Sequence, residues 1–246
     1  MIQLPEQLHV GQVVHLPINE GAGLSAFDTT GMVTLGNSPC RITTCTWGVG
    51  PRLGKCLVWA SAVTNKITVG KPSAMNLTAS AMTISAWVYI TDLSGAVNSG
   101  YRYVCSDYNS AATNAIFALQ VTNTQKLTFF WANAGTQAPN PLTGAGATTI
   151  ATNTLYHMVG VRQGVTGSWT TYVYLNGKYD GGTSTATNPC AQSAAGNVVV
   201  GQAGDLTSTP LGMVGSVKNV RIWNRALTAT EIKELYSTEL NLISTL

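Results

Sequence analysis

Short apolar runs, each closed by turn-forming residues, recur along the chain and constrain its fold more than any other feature. The run TISAWVYI, residues 83–90, alternates small or aliphatic side chains with bulky ones, and both sets can be buried. Such a run is typical of a strand that is covered on both faces. Similar runs follow at Tyr101–Ser106, Ile116–Val121, Leu127–Trp131, Leu155–Arg162 and Thr170–Leu175. Many short strands with turn residues between them predict an all-β, two-sheet antiparallel sandwich.

The dipeptide Asn176-Gly177 marks the clearest hairpin. Both residues accept the positive φ angles that a type I′ turn requires. The strand that ends at Leu175 should therefore turn there and continue through Lys178–Tyr179. The sequence contains no internal repeat and no low-complexity linker. We therefore expect residues 1–246 to form a single domain.

The last segment of the chain changes from the two-residue period of a strand to the residue spacing of a helix. In VRIW, residues 220–223, the aliphatic Val220 and Ile222 alternate with Arg221 and Trp223, and this period of two indicates a strand. Thr228 is followed three residues later by Glu231, the spacing of a capping box, in which each side chain accepts a hydrogen bond from the other residue's backbone N–H. Three apolar side chains then share one helix face: Ile232, Leu235 and Tyr236. A short helix cannot bury that face alone, so we expect one short C-terminal helix packed on the sandwich.

Charged residues are scarce in this chain. They make up 9% of the 246 residues, against about 25% in a typical soluble domain. A surface with so little charge is weakly protected against association, and interface cores are depleted in charge in the same way. This favours a protein that is docked on a partner. The net charge of +3 comes from scattered basic residues, which indicates neither a nucleic-acid patch nor a polybasic membrane anchor.

The sequence carries no recognisable targeting signal. MIQLPEQLHVGQ at the start lacks a basic region followed by a continuous apolar region. The long uncharged stretch 127–161 is interrupted by Pro139, Pro141 and Gly144, which argues against a membrane span. If Met1 is the native start, we expect a protein made in the cytoplasm without a signal peptide. If a leader has been removed, a secreted protein is the alternative.

The five cysteines are Cys40, Cys45, Cys56, Cys105 and Cys190. They form no CxxC pair, which argues against a zinc site. An odd count leaves at least one thiol free in a monomer. Cys40 and Cys45 could bridge a small loop, but we favour reduced cysteines that act as small apolar residues.

Six segments carry a family resemblance in the right order. They are Asn19–Gly23 with Asp28–Gly31, GPRLGKCL at 50–57, TISAWVY at 83–89, LYHMVGVRQG at 155–164, YVYLNGK at 172–178 and GSVKNVRIWNRALTATEIKELY at 215–236. Together they resemble the laminin G-like branch of the concanavalin A-like lectin/glucanase superfamily. The resemblance implies a jelly-roll sandwich in which the last strand returns beside the N-terminal one. It also implies that the C-terminal helix packs over the end of the sandwich.

The resemblance does not by itself decide between an enzyme and a binding protein. Glycoside hydrolysis needs two carboxylates beside the scissile bond, and glucanases of this fold carry them on one strand. The predicted strands at 83–90, 116–121, 127–131 and 170–175 contain no Asp or Glu. His157 matches a structural position of the family, and neither a GxSxG motif nor a phosphate-binding glycine loop is present. We therefore predict no catalytic residue, no cofactor and no enzymatic activity.

Jelly rolls of this type often bind calcium through loop carboxylates and carbonyls. Asp28 keeps the family's acidic position, and Glu20 lies shortly before it. The family's Ile-Asp-Asp-Val segment is here Val217-Lys218-Asn219-Val220. An ammonium of Lys218 pointed at the site would repel a cation. We therefore predict that Asp28 is a turn residue and that the chain has no metal site.

Sugar binding requires exposed aromatic rings with polar neighbours. Trp131 ends a strand-like run and enters a long loop, and Tyr108 follows another such run. Either ring could stack on a sugar, so Trp131 and Tyr108 are the candidate ligand-binding residues. For Trp131 itself we favour a core position over an exposed one, and the sequence leaves Trp169 open between core and surface.

Two functions remain. We favour a non-enzymatic structural protein of a virion, such as a phage capsid decoration or cement protein or part of a fibre or tail, because single-domain laminin G-like proteins occur among phage structural proteins. Its partners would be capsid or other virion proteins and copies of itself. The expected contacts are Met1–His9, Pro139–Thr149 and Thr183–Ala195. The alternative is a carbohydrate-binding module or lectin that recognises a glycan through loop aromatics.

Overall fold

The structure is a computed structural model, described here for residues 4–32, 40–60, 65–70, 81–93, 101–107, 117–131, 142–165, 168–182, 185–186, 197–203 and 212–244. Within these ranges the chain forms a 3-10 turn at Glu6–Leu8, seventeen β-strands and one α-helix. The strands are β1 (Gln12–Leu16), β2 (Ser25–Ala26), β3 (Cys40–Thr43), β4 (Thr46–Gly50), β5 (Gly54–Ala60), β6 (Lys66–Gly70), β7 (Met82–Ile90), β8 (Tyr101–Asp107), β9 (Phe117–Thr122), β10 (Lys126–Trp131), β11 (Leu142–Thr149), β12 (Thr154–Val165), β13 (Ser168–Leu175), β14 (Lys178–Gly181), β15 (Thr185–Ala186), β16 (Val198–Val200) and β17 (Val214–Trp223). The helix is α1 (Ala229–Ser244). No helix within the described ranges is long and apolar enough to cross a bilayer.

All strand pairs are antiparallel, and they form two groups. The first group is ordered β5-β17-β7-β12-β13-β14, with β4 beside β5, β1 beside the second half of β17, and β15 beside β13. The second group is ordered β2-β3-β6-β16-β8-β9-β10-β11. The two groups are joined at one edge, where Gly146 of β11 pairs with Gly181 of β14. This arrangement confirms the predicted antiparallel β architecture.

The main core lies between the two groups of strands. Gly160 of β12 faces Phe129 of β10 so closely that a side-chain carbon at position 160 would lie 2.5 Å from Phe129 Cγ. Val88, from the first group, and Leu119, from the second, belong to the same buried cluster. Side chains from two opposed sheets that meet in one core are the mark of a β-sandwich.

The central strand β7 is covered on both faces, as its sequence predicts. Eight of its nine residues are buried. On one edge it pairs with β12 over its full length, from Thr154 opposite Ile90 to Arg162 opposite Met82. On the other edge it pairs with β17, which also pairs with β1, so that Leu16 lies opposite Val220. The expected return of the last strand beside the N-terminal one is therefore confirmed.

The predicted hairpin and helix start are both present. Asn176 and Gly177 have φ angles of 51° and 75°, as a type I′ turn requires. At the helix start, the carboxylate of Glu231 accepts a hydrogen bond from the backbone N–H of Thr228 at 2.8 Å, and the Thr228 hydroxyl accepts one from the backbone N–H of Glu231 at 3.2 Å. This is the capping box that the spacing predicts.

Helix α1 is longer than the short helix that the sequence predicts. It has 16 residues, because buried contacts continue beyond Tyr236. Glu239 is fully buried and Ile243 is 3% exposed. Ile232 and Leu235 are fully buried against the outer face of the first strand group, together with Trp223. Packing against the sheet therefore extends a helix whose first turns are set by the local sequence.

A buried polar cluster attaches α1 to the sheet. Glu239 Oε1 accepts a hydrogen bond from Arg221 Nε at 2.7 Å, and Oε2 accepts one from Trp87 Nε1 at 2.7 Å. His157 Nε2 lies 3.8 Å from the same Oε2, and the His157 ring lies 5.9 Å from that of Tyr236. Helix α1 is thus held by charge and hydrogen bonding as well as by apolar contact.

The described cysteines are free thiols. Cys40, Cys45, Cys56 and Cys105 are all buried and unbridged, and Cys190 lies outside the described residues. Burial raises the pKa of both Cys40 and Cys45 to about 12. These two thiols therefore remain protonated at neutral pH and act as the small apolar residues that the sequence predicts.

Candidate functional site

A cleft opens beside the Asn176-Gly177 hairpin, where β14 approaches α1. Its volume is about 650 Å³, which is within the range of small-molecule sites. It is lined by Thr148, Tyr156, Leu175, Asn176, Lys178, Tyr179, Asp180 and Tyr236. We call it the tyrosine cleft, because tyrosines from β12, β14 and α1 meet in it.

Tyr179 is the exposed ring of the tyrosine cleft. It lies on β14 and is 57% exposed. Two tyrosines of β13 support it edge-on: the ring centroids of Tyr172 and Tyr174 lie 6.2 Å and 5.7 Å from that of Tyr179, at interplanar angles of 60° and 75°. Residues two apart on a strand share a face, which is why β13 presents both supporting rings together. Edge-to-face packing of this kind stabilises an aromatic ring, while the exposed surface of Tyr179 stays available to a ligand.

Asn176 and Asp180 bring polar groups to the tyrosine cleft. The Asn176 side-chain oxygen accepts a hydrogen bond from the backbone N–H of His157 at 2.9 Å, which leaves its two N–H donors for other partners. Asp180 Oδ1 accepts hydrogen bonds from the backbone N–H of Thr148, at 3.1 Å, and from its hydroxyl. Gly146 leaves room for this carboxylate, since a side-chain carbon there would collide with Asp180 Oδ2. Both side chains are therefore fixed in orientation.

Tyr236 forms the wall of the cleft on the side of α1. Its ring stacks on that of Trp87, with centroids 5.6 Å apart and an interplanar angle of 21°. It also packs against Gly177, where a side-chain carbon would lie 2.9 Å from Tyr236 Cβ. Because glycine has no side chain, Gly177 allows both the positive φ angle of the turn and the close approach of α1. The hairpin dipeptide shapes the cleft as well as the strand connection.

The lining of the tyrosine cleft suits binding better than hydrolysis. Asp180 is the one carboxylate among its described lining residues, whereas glycoside hydrolysis uses two. Aromatic rings beside an amide, a carboxylate and the ammonium of Lys178 match a ligand with an apolar face and polar edges. A sugar ring has this character.

Trp131, a candidate ligand-binding residue, does not provide the exposed ring that such a role requires. It is 1% exposed, because the alternation of β10 turns it inward with Leu127 and Phe129. Its ring stacks 6.1 Å from that of Phe117, and the guanidinium carbon of Arg162 lies 4.0 Å from its centroid. The core position that the sequence favours for Trp131 is therefore the one observed. The second predicted ligand residue, Tyr108, lies outside the described residues.

Trp169 is also a core residue. It is 1% exposed, and the guanidinium carbon of Arg162 lies 3.7 Å from its ring centroid. Arg162 is itself fully buried and is placed between the two indoles of Trp131 and Trp169. Cation–π contacts on both sides stabilise this buried cation.

Asp28 is a turn residue, as predicted. Its Oδ1 accepts hydrogen bonds from the backbone N–H groups of His15, at 2.7 Å, and Thr30, at 3.3 Å, and its Oδ2 accepts one from Met32 at 3.1 Å. Bonds from its own turn and from β1 thus occupy the carboxylate. No group of three metal-ligating side chains occurs within the described residues.

Sequence reasoning missed the tyrosine cleft, although part of its signal was present. YVYLNGKYD, residues 172–180, places Tyr172 and Tyr174 on one strand face, and the hairpin brings Tyr179 back across from Tyr174. That part could have been read from the alternation and the turn. The contribution of Tyr236 could not, because it depends on where α1 packs.

Comparison with known families identifies the fold. The laminin G model described as concanavalin A-like lectin/glucanases superfamily matches residues 62–233, more than half of the chain. The chain belongs to this superfamily. The predicted resemblance is thereby confirmed. A search of curated protein sequences found no match for this superfamily member.

Solved structures similar to this superfamily member include two binding domains and an enzyme. The binding domain of Paraclostridial Mosquitocidal Protein 1 is 15% identical with a TM-score of 0.62, over 95% of this chain and 53% of that chain. The receptor binding domain of botulinum neurotoxin C/D mosaic serotype is 13% identical with a TM-score of 0.65, over 93% and 51%. Trypanosoma rangeli sialidase in complex with sialic acid is 16% identical with a TM-score of 0.64, over 96% and 34%.

These similarities concern the fold alone, because the sequences are so different. The chain spans about half the length of the two toxin domains and about a third of the sialidase. Their binding and catalytic properties belong to larger proteins. For this chain, a function has to be argued from its own residues.

Proposed function

We propose that this chain is a non-enzymatic, lectin-like binding module that recognises a glycan through the tyrosine cleft. The observation that carries the proposal is the exposed ring of Tyr179, supported by Tyr172 and Tyr174 and placed beside the Asn176 amide. A tyrosine offers a large, rigid contact surface at little entropic cost. The amide and the carboxylate of Asp180 supply directional hydrogen bonds, which give a site its specificity.

The Tyr179→Ala variant is expected to bind the glycan with an affinity at least about tenfold lower, which corresponds to a loss of about 1.4 kcal/mol of binding free energy. The chain would first be screened against immobilised and insoluble polysaccharides, and the affinity for a retained glycan then measured by calorimetry. Tyr179→Phe keeps the ring and should keep most of the affinity. Tyr101→Ala is the matched control, because Tyr101 is an exposed tyrosine on β8, outside the cleft.

Two outcomes would contradict the proposed glycan site. One is that no polysaccharide or oligosaccharide retains the protein. The other is a glycan affinity that stays unchanged in Tyr179→Ala, which would place the site elsewhere. Turnover of a bound glycan, detected as released reducing ends, would contradict the non-enzymatic part of the proposal.

A second function, docking in a virion, is favoured by exposed apolar residues near the N-terminus. They are Val10, Leu24, Phe27 and Met32, each more than half exposed. Hydrogen bonds from His15 and Met32 to Asp28, and from the Thr30 hydroxyl to the Val13 carbonyl, hold the segment that carries Phe27 and Met32 against β1. With so few charges on the chain, this region, which we call the N-terminal apolar region, suits a contact with a shell protein. Such a module could dock through it and still present the tyrosine cleft.

Replacement of Phe27 and Met32 by Ser should abolish co-sedimentation with purified virus particles from the source of the gene. The loss follows because the N-terminal apolar region would no longer exclude water from the contact. Val165→Ser is the control, since Val165 is 71% exposed at the far end of β12. If the wild-type chain does not pellet with particles, or the double variant pellets as well as wild type, this docking contact is wrong. Of the two loops predicted for docking, Thr183–Ala195 lies outside the described residues except for β15. Most of Pro139–Thr149 is not a loop, because Leu142–Thr149 forms β11 and pairs with β10.

A further inference from the structure

A second cleft, of about 420 Å³, lies at the turn between β4 and β5. It is lined by Asn19, Val49, Gly54, Lys55 and Lys218. We call it the lysine cleft. Among the described residues, it shares no lining residue with the tyrosine cleft. The side chains of Lys55 and Lys218 both reach this cleft, although charged residues are scarce in the chain.

Lys218 is a buried cation with unused hydrogen-bond donors. Its side chain is 4% exposed, and its Nζ donates one hydrogen bond, to the carbonyl of Leu53 at 2.6 Å. An ammonium has three donors, so two N–H groups have no partner among the described residues. A bulge in β17 follows this residue: Asn219 has a φ of 48°, and the register with β7 shifts between Lys218 and Arg221. Bulges of this kind redirect side chains near binding sites.

No described carboxylate forms an ion pair with either lysine of the lysine cleft. The ion pairs seen among the described residues include Arg221–Glu239 and Arg225–Glu231, and none of them involves Lys55 or Lys218. Glu20 follows the lining residue Asn19, but its two oxygens accept hydrogen bonds from the backbone N–H groups of Asn19 and Phe27, at 3.0 Å and 2.9 Å. A buried charge without a counter-charge is unfavourable. An anionic ligand would supply that counter-charge, and it would offset the desolvation that lowers the pKa of Lys218.

We propose that the lysine cleft binds an oxyanion, the carboxylate or sulfate group of an acidic sugar. The anion would bridge the ammonium groups of Lys55 and Lys218. Val49 is 79% exposed on the wall of the cleft and would cover the apolar face of the attached ring. The exposed side-chain amide of Asn19 would accept hydrogen bonds from ring hydroxyls through its oxygen and donate them through its NH2 group. This site does not depend on glycan binding at the tyrosine cleft.

The test is an NMR titration of the isotope-labelled chain with four probes: sodium glucuronate, glucose 6-sulfate, glucose and sodium sulfate. The backbone amide signals of Asn19, Gly54 and Lys55 should shift saturably with the two acidic sugars and not with glucose. Lys55→Ala should weaken binding about tenfold, because one of two ammonium contacts is lost. Lys218→Met should abolish it.

Two control variants separate this site from others. Lys233→Ala removes an exposed lysine of α1 and should bind the acidic sugars as wild type does. Tyr179→Ala should do so as well, which distinguishes the lysine cleft from the tyrosine cleft. Equal shifts with glucose, or unchanged affinity in both Lys55→Ala and Lys218→Met, would overturn the proposal. Sodium sulfate that binds as tightly as the acidic sugars would overturn its sugar component.

Discussion

The Glu239→Ala variant is expected to lose about 3–5 kcal/mol of unfolding free energy, the cost typical of removing one partner from a buried ion pair. Glu239 is fully buried and accepts hydrogen bonds from Arg221 and Trp87, each at 2.7 Å. Arg221 is buried, with a side chain that is 5% exposed, and without the carboxylate its guanidinium would have no counter-charge there. The indole N–H of Trp87 would also lose its acceptor.

Urea denaturation followed by tryptophan fluorescence measures this loss. Lys233→Ala, at an exposed position of the same helix, is the control and should change the unfolding free energy by less than about 0.5 kcal/mol. The double variant Arg221→Met with Glu239→Leu removes both charges and should recover most of the stability, because apolar replacements of a buried pair are often neutral. A double variant as unstable as Glu239→Ala would show that volume, not charge, holds α1 in place.

Local signals in the sequence were sufficient for the parts of the fold that depend on neighbouring residues. The capping box of Thr228 and Glu231 and the hairpin at Asn176-Gly177 each need a few consecutive residues, and both were predicted correctly. The alternation of β10 predicted a strand but not which of its faces is buried. That ambiguity is why Trp131 could be taken for an exposed ring. Its inward direction is decided by Phe117 and Arg162, from two other strands.

The tyrosine cleft and the anchoring of α1 depend on contacts between residues far apart in the chain. Tyr236 reaches the cleft because α1 packs beside Gly177. The helix extends to Ser244 because Glu239 finds Arg221 and Trp87 on the sheet. Neither contact has a signature at a fixed sequence spacing. A capping box predicts where a helix begins, but tertiary packing decides how far it continues.

Acidification from pH 6.5 toward pH 4 is expected to destabilise the fold through His157. Burial and then the charge of Arg221 lower the pKa of this fully buried histidine from 6.5 to about 3. Below pH 6.5 the unfolded chain therefore binds a proton that the folded chain does not. The unfolding free energy falls as the pH falls across this window, by up to about 1.4 kcal/mol per pH unit. Above pH 6.5 both states are neutral at this residue, so its full contribution is present.

The other charged groups that face His157 set the size of this effect. Arg221 opposes protonation of His157, whereas Glu239, 3.8 Å from Nε2, would favour it. Burial raises the pKa of Glu239 above its usual value, so the folded chain takes up a proton there more readily than the unfolded chain does. That uptake stabilises the fold as the pH falls and partly offsets the loss from His157. Burial also lowers the pKa of His15 to about 3, so His15, like His157, lowers the unfolding free energy as the pH falls.

A comparison of slopes isolates the contribution of His157. The unfolding free energy of wild type, His157→Gln and Val165→Ser would be measured by urea denaturation at intervals from pH 7 to pH 4. The slope against pH should be smaller in His157→Gln by up to about 1.4 kcal/mol per unit, since one of the protons taken up on unfolding is removed. Val165→Ser changes an exposed residue that carries no titrating group and should keep the wild-type slope whatever its overall stability. Equal slopes in wild type and His157→Gln would mean that His157 is protonated in the folded chain as readily as in the unfolded one, and that Glu239, not Arg221, dominates its surroundings.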